Sequence, residues 1–132
     1  MTSIIFAGFS ESTVWKHLQN MREKEVFRTD VVINPDALPN EVWVEIFIHT
    51  SHRQVHDVID DILRYHEVKF ASESLGRFNI VILGRFHSKK LFDRFIKFEL
   101  PAIEGVGSIE YALVYKLIKH RGINLSQFTN KV

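Results

Sequence analysis

Between residues 42 and 118 the sequence switches repeatedly between two hydrophobic periods, and the order of the switches restricts the fold more than any other feature. Val42, Val44, Ile46 and Ile48 alternate with Trp43, Glu45 and Phe47, the two-residue period of a strand. Val55, Val58, Ile59, Ile62 and Leu63 then recur at helical spacing, with Ser51 standing where an N-cap is expected. A strand over residues 68–72, a turn at 73–76 and a strand over 78–86 follow. Ser88 is expected to cap a second helix that carries Leu91, Phe92, Phe95 and Ile96 on one face, and Pro101 stops it because proline has no backbone donor. Beyond Gly105 and Gly107 a last strand is expected over 109–118. The order β-α-β-β-α-β is the ferredoxin-like, split βαβ arrangement of the α+β class, in which two helices cover one face of a four-stranded antiparallel sheet.

Upstream, Val14, Leu18 and Met21 space out a helix over residues 10–24, with Ser10 as its N-cap. A hinge strand is expected over 26–33, and Pro35 and Pro39 punctuate a hinge at 34–40. The expected organisation is thus an N-terminal unit over 1–33, the hinge, a ferredoxin-like domain over 41–122 and a tail over 123–132. The chain of 132 residues is long enough to bury a core without staples, and having no Cys it has no disulfide and no Cys-based metal site. Its only early apolar run, residues 4–7, is too short for a signal peptide or a membrane span, so a soluble, cytoplasmic protein with no membrane partner is expected.

Charge and chemistry narrow the function. The net charge is +1, and residues 1–40 hold four basic against five acidic side chains, which is no phosphate-neutralising surface. His49, His52 and His56 lack an evident further ligand, so neither a metal nor any other cofactor is expected. Asp60 and Asp61 diverge on a helix and make no acid–base couple, and no nucleophile–base order stands out, so an enzyme is not expected. The uncovered sheet face is the more informative feature. Trp43 and Phe47 on one strand and Tyr111, Leu113 and Tyr115 on the last are read as a wide apolar patch, and such patches mark interfaces. A homodimer through that face is expected, with tetramers or octamers open to it.

Four stretches carry a family resemblance. Gly76-Arg77-Phe78-Asn79-Ile80-Val81, followed by Gly105-Val106-Gly107-Ser108-Ile109-Glu110-Tyr111, resembles the small-molecule regulatory (RAM) domain of the Lrp/AsnC, or feast/famine, transcription regulators. Ser10 to Leu18 is similar to their DNA-recognition helix, and Val32 to Leu38 to their hinge. The resemblance implies DNA contacts from Ser12, Thr13, Lys16, His17 and Asn20. It also implies an effector site where residues 73–77 meet residues 104–108, formed by Ser74, Gly76, Arg77, Asn79, Gly105, Gly107 and Ser108 and taking an amino acid or related metabolite. The family usually has an acidic residue where Asn79 stands and small hydroxyl residues near Ile109 and Tyr111, which implies a different or weaker ligand here. It also has two more helices before the recognition helix, and residues 1–8 are too few to hold them, so a truncated helix-turn-helix with DNA binding weakened or lost is expected. The alternative is a stand-alone ligand-sensing or assembly module that binds no DNA and modulates complete family members.

Overall fold

The computed structural model describes residues 10–28, 31, 37–51 and 53–125, and the chain divides into two compact units, Met1–Val32 and Ile33–Val132. In the first, helix α1 spans Glu11–Glu23. Ser10 caps it as expected, its Oγ accepting from the Thr13 amide at 3.2 Å, and Glu11 and Arg22 sit at the ends that suit the helix dipole. The helix closes at Glu25, which takes a left-handed φ of 60° while the Val26 amide reaches back to the Met21 carbonyl at 2.8 Å. No α1 side chain is buried. Of the expected hinge strand, residues 26–28 and 31 carry no strand, and 29, 30, 32 and 33 lie outside the described residues, as do 34–36 of the hinge and the short segment 1–8.

The second unit has the expected ferredoxin-like architecture. Strands β1 (Val42–Thr50), β2 (Val68–Glu73), β3 (Ile80–Phe86) and β4 (Val106–Leu113) form one sheet in the order β2-β3-β1-β4, every neighbouring pair antiparallel. Helices α2 (Val55–Ile62) and α3 (Lys89–Arg94) bury Val58, Ile62 and Phe92 against Val44, Ile46, Ile48, Ile80 and Ile82. The Phe86 ring meets Phe92 and Phe95 at 5.5 and 5.1 Å between centroids. Gly84 makes room for it, since a Cβ there would lie 2.7 Å from Phe86 Cε2.

Three local expectations need correction. Ser51 does not cap α2. Its amide donates to the Gly105 carbonyl at 3.2 Å, so the chain stays tied to the sheet end and the helix starts only after Gln54, without a side-chain cap. Ser88 does cap α3, its Oγ accepting from the Leu91 amide at 3.2 Å, but before Pro101 the helix widens into a π turn over Phe95–Glu99, closed by the Leu100 amide on the Phe95 carbonyl at 2.8 Å. The last strand starts earlier and ends earlier than expected: after Val114 donates to the Trp43 carbonyl, β1 offers no further partner beyond Val42. The end of the expected domain and the start of the expected tail instead form a hairpin, β5 (Lys119–His120) with β6 (Ile123–Asn124). Its turn has φ of 52° at Arg121 and 79° at Gly122, the two left-handed positions that a tight hairpin requires.

Candidate functional site

Cross-strand partners share a face of the sheet, so the register settles which side chains are left on the uncovered one. Val44, Ile46 and Ile48 lie opposite Gly84, Ile82 and Ile80 on one side and Leu113, Tyr111 and Ile109 on the other, and all of these turn toward the helices. Tyr111 accordingly packs on Phe92 of α3 at 5.3 Å. Trp43, Glu45 and Phe47 lie opposite Arg85, Leu83 and Val81, while Glu45 and Phe47 also face Ala112 and Glu110. The expected interface set therefore does not share one face: Trp43 and Phe47 are on the open side, Tyr111 and Leu113 are on the helix side, and Tyr115 is fully exposed beyond the end of β4. The open face instead carries Phe47, Val81, Leu83 and the 56% exposed Phe70. At one end of it Arg85 stacks over Trp43, whose ring edge meets His120 of the hairpin.

The two expected effector segments do come to the same end of the sheet, with the end of β1 between them. Ile48 pairs with Ile80 at the start of β3, and Thr50 pairs with Val106 at the start of β4. The residues there divide into two kinds. Asn79 is consumed by the scaffold, its Oδ1 accepting from the Thr50 amide at 2.9 Å and its Nδ2 donating to Thr50 Oγ1 at 2.7 Å. Gly105 and Gly107 are packing glycines. A Cβ on Gly105, at φ 93°, would lie 2.6 Å from Arg53 Cβ, and one on Gly107 would lie 2.7 Å from the His49 carbonyl oxygen. Ser74, Gly76, Arg77 and Ser108 remain toward the surface, with Ser74 within hydrogen-bond distance of Ser72 and Gly76 taking a φ of 139° in open space. Arg77 spans from its turn across the open face to Glu110 on β4, Nη2 to Oε1 at 3.0 Å, over the Phe78 ring at 5.2 Å. Phe78 in turn meets Phe47 at 5.8 Å.

One residue at this end gives no sequence signal. Arg53 Nη1 donates to Asp61 Oδ2 at 2.6 Å and to the Glu104 carbonyl at 3.2 Å, joining the connection after β1, helix α2 and the loop before β4. Its hydrogen bond holds the Asp61 carboxyl below the usual carboxylate range against an opposing effect of burial, and the same bond raises the Arg53 guanidinium. Arg53 precedes the helix, so no i, i+4 spacing links it to Asp61. On α1, Ser12, Lys16, His17 and Asn20 are exposed along one flank, and the Thr13 hydroxyl is held by Ser10 Oγ at 2.7 Å. His52 lies outside the described residues, and among the described residues no three His, Asp or Glu side chains converge as a metal set. No helix among them is long and apolar enough to cross a membrane.

Comparison with known proteins agrees with this architecture. The family model for the Lrp/AsnC ligand binding domain matches residues 42–123. The HTH-type transcriptional regulator FL11 of Pyrococcus furiosus is 26% identical over 113 residues, spanning 85% of this chain and 74% of that protein. The structure of AsnC from E. coli superposes with a TM-score of 0.75 at 19% identity, over 88% of this chain and 79% of that one. A feast or famine regulatory protein from M. tuberculosis complexed with L-methionine superposes with a TM-score of 0.77 at 17% identity, over 93% and 84%. At such identities the two structures establish a shared fold.

The Asn79–Thr50 lock can be tested directly. Asn79→Ala strands the Thr50 amide at a mostly buried position and should cost about 1–3 kcal/mol in urea denaturation. Asn79→Asp keeps an acceptor for that amide, and the Thr50 hydroxyl can turn to donate to the new carboxylate, so its cost at neutral pH should be clearly smaller. Equal losses for the two variants would show that the side-chain bonds contribute little.

Proposed function

The chain belongs to the Lrp/AsnC family, and from that premise we propose that it is a transcription regulator that senses an amino acid or related metabolite at the sheet end between residues 74–79 and 104–108. The observation that carries the reading is Arg77, an exposed guanidinium that leaves the first segment, reaches Glu110 on β4 just past the second, and is able to take a carboxylate bidentately. The solved relative complexed with L-methionine supports a ligand of this class. In this geometry a ligand carboxylate competes with Glu110 for Arg77. The exposed ion pair is worth roughly 0–1 kcal/mol, so it yields readily. The remaining wall of the site is supplied by a neighbouring dimer.

Dimerisation is assigned to the open sheet face. Phe47, Val81, Leu83 and Phe70 form an apolar patch there that a second copy covers face to face, the two-fold arrangement that makes one patch complementary to itself. Contact with DNA falls to Ser12, Lys16, His17 and Asn20 of α1. The alternative, a sensing module that binds no DNA and modulates complete family members, is favoured by one observation: residues 1–40 carry four basic against five acidic side chains, too few cations to neutralise many phosphates. Gel-shift titration at low salt separates the two readings, and a shift that vanishes for Lys16→Ala supports the first.

Two further measurements check the site and the interface. Calorimetry against the twenty amino acids should give an affinity that falls about tenfold or more for Arg77→Ala. For Glu110→Gln it should rise, because the guanidinium is released. Identical heats for wild type and Arg77→Ala would place the site elsewhere. Leu83→Asp puts an unpaired charge in the middle of the open face and should turn a sedimenting dimer into a monomer, and a wild-type protein already monomeric at micromolar concentration would refute the interface.

A further inference from the structure

We propose that Arg53 is a positioning residue for the effector site, holding the loop 104–108 in ligand-ready geometry by tying it to α2 through Asp61. The inference rests on the effector reading above and adds to it a residue outside both ligand-facing segments. Four contacts carry it. The Arg53 Nη1 group donates to Asp61 Oδ2 at 2.6 Å and to the Glu104 carbonyl at 3.2 Å, so one nitrogen joins helix and loop. The aliphatic stem forms the floor under Gly105: a Cβ there would lie 2.6 Å from Arg53 Cβ and 3.2 Å from Arg53 Cδ. The Ser51 amide, two residues before Arg53, donates to the Gly105 carbonyl at 3.2 Å. Two successive carbonyls of the loop are thus fixed from the short connection between β1 and α2.

The geometry has a directional consequence. A trans peptide holds its C=O and N–H on opposite sides, so turning the Glu104 carbonyl toward Arg53 turns the Gly105 N–H away from it. Holding the Gly105 carbonyl on Ser51 sets the Val106 N–H in the same manner, and that amide closes on the Ile103 carbonyl at 3.2 Å. The backbone entering Gly107 and Ser108 therefore starts from a fixed orientation. Arg53 and Asp61 are each 27% exposed, against 79% and 53% for Arg77 and Glu110. The first pair is shielded enough to hold, and the second is loose enough to be displaced. Arg64 also approaches Asp61, at 3.6 Å, but it is 80% exposed and approaches the other carboxylate oxygen, Oδ1, leaving Oδ2 to Arg53.

The test uses the full chain with L-methionine and the other nineteen amino acids as calorimetric probes, at a temperature well below unfolding. Arg53→Met keeps the stem under Gly105 and removes the charge. It should weaken the affinity of whichever amino acid binds wild type by about tenfold, and amide exchange at Ser51 should accelerate. Arg53→Lys retains a cation near Asp61 and should recover part of both. Asp61→Asn keeps an oxygen acceptor for the guanidinium and should weaken binding less than Arg53→Met does. A merely structural role would lower the melting temperature and leave the dissociation constant unchanged. Binding by wild type with the same constant in Arg53→Met overturns the positioning role and leaves the effector reading standing. No heat from wild type with any of the twenty overturns the effector reading, and this inference with it.

Discussion

Strand β1 is the member on which the rest of the domain depends. It lies between β3 and β4, and its Val44, Ile46 and Ile48 are completely buried, each contributing on the order of 1.5–3 kcal/mol through removal from water. With three successive inward positions fixed, the strand cannot slip by one residue without exposing all of them. That constraint sends Trp43, Glu45 and Phe47 to the open face. It also carries Thr50, at the strand's end, to a buried place where its amide and hydroxyl need partners, and Asn79 supplies both. The candidate effector end is thus an outcome of how β1 terminates, since β3 begins beside Ile48 and β4 beside Thr50.

The architecture was legible because the periods of β1, α2, β3 and α3 are unambiguous, and Ser10 and Ser88 cap the helices that their positions suggest. The face of the last strand was not legible. Ile109, Tyr111 and Leu113 alternate with Glu110, Ala112 and Val114, so a single charge, Glu110, is all in this stretch that marks the side turned away from the helices. Only the pairing of Tyr111 with Ile46 decides it, and the register shift between Ile48 and Thr50 falls where sequence has no marker beyond Gly107. Ser51 misled for a different reason. A serine before a helical pattern is a cap only if the chain is free to start the helix there, and here its amide is bound to Gly105 on another segment. The same tertiary tie explains why Arg53 carried no signal: its partners are eight and fifty-one positions away.

At the candidate site, residue type was a better guide to place than to role. Asn79, Gly105 and Gly107 stand where the resemblance put them, yet each is committed to the scaffold, one by two hydrogen bonds and two by close approach of neighbouring atoms. Sequence cannot separate these cases, because an amide side chain and a glycine suit a ligand and a tight junction equally well. The side chains left to meet a small molecule are fewer: of the expected effector residues, Ser74, Arg77 and Ser108, with Arg77 supplying the positive charge and the glycines only backbone.

On the effector reading, that narrowing bears on ligand chemistry. Arg77 lies on the open-face side, beside Phe78 and, through it, Phe47, whereas Ile109 and Tyr111 face the helices. The positions at which the chain departs from small hydroxyl residues are therefore not beside its guanidinium, and their loss does not weaken the carboxylate contact. The groups that do stand next to Arg77 are the Phe78 ring, with Phe47 behind it, and one carboxylate, Glu110. A ligand that displaces Glu110 brings its own carboxylate to the guanidinium and lays its side chain along aromatic surface. An acidic side chain would meet the displaced Glu110 at close range and be repelled. An apolar or thioether side chain avoids that repulsion, and sulfur gains a favourable contact with aromatic rings. On the effector reading, the charge at this one corner therefore disfavours an acidic amino acid.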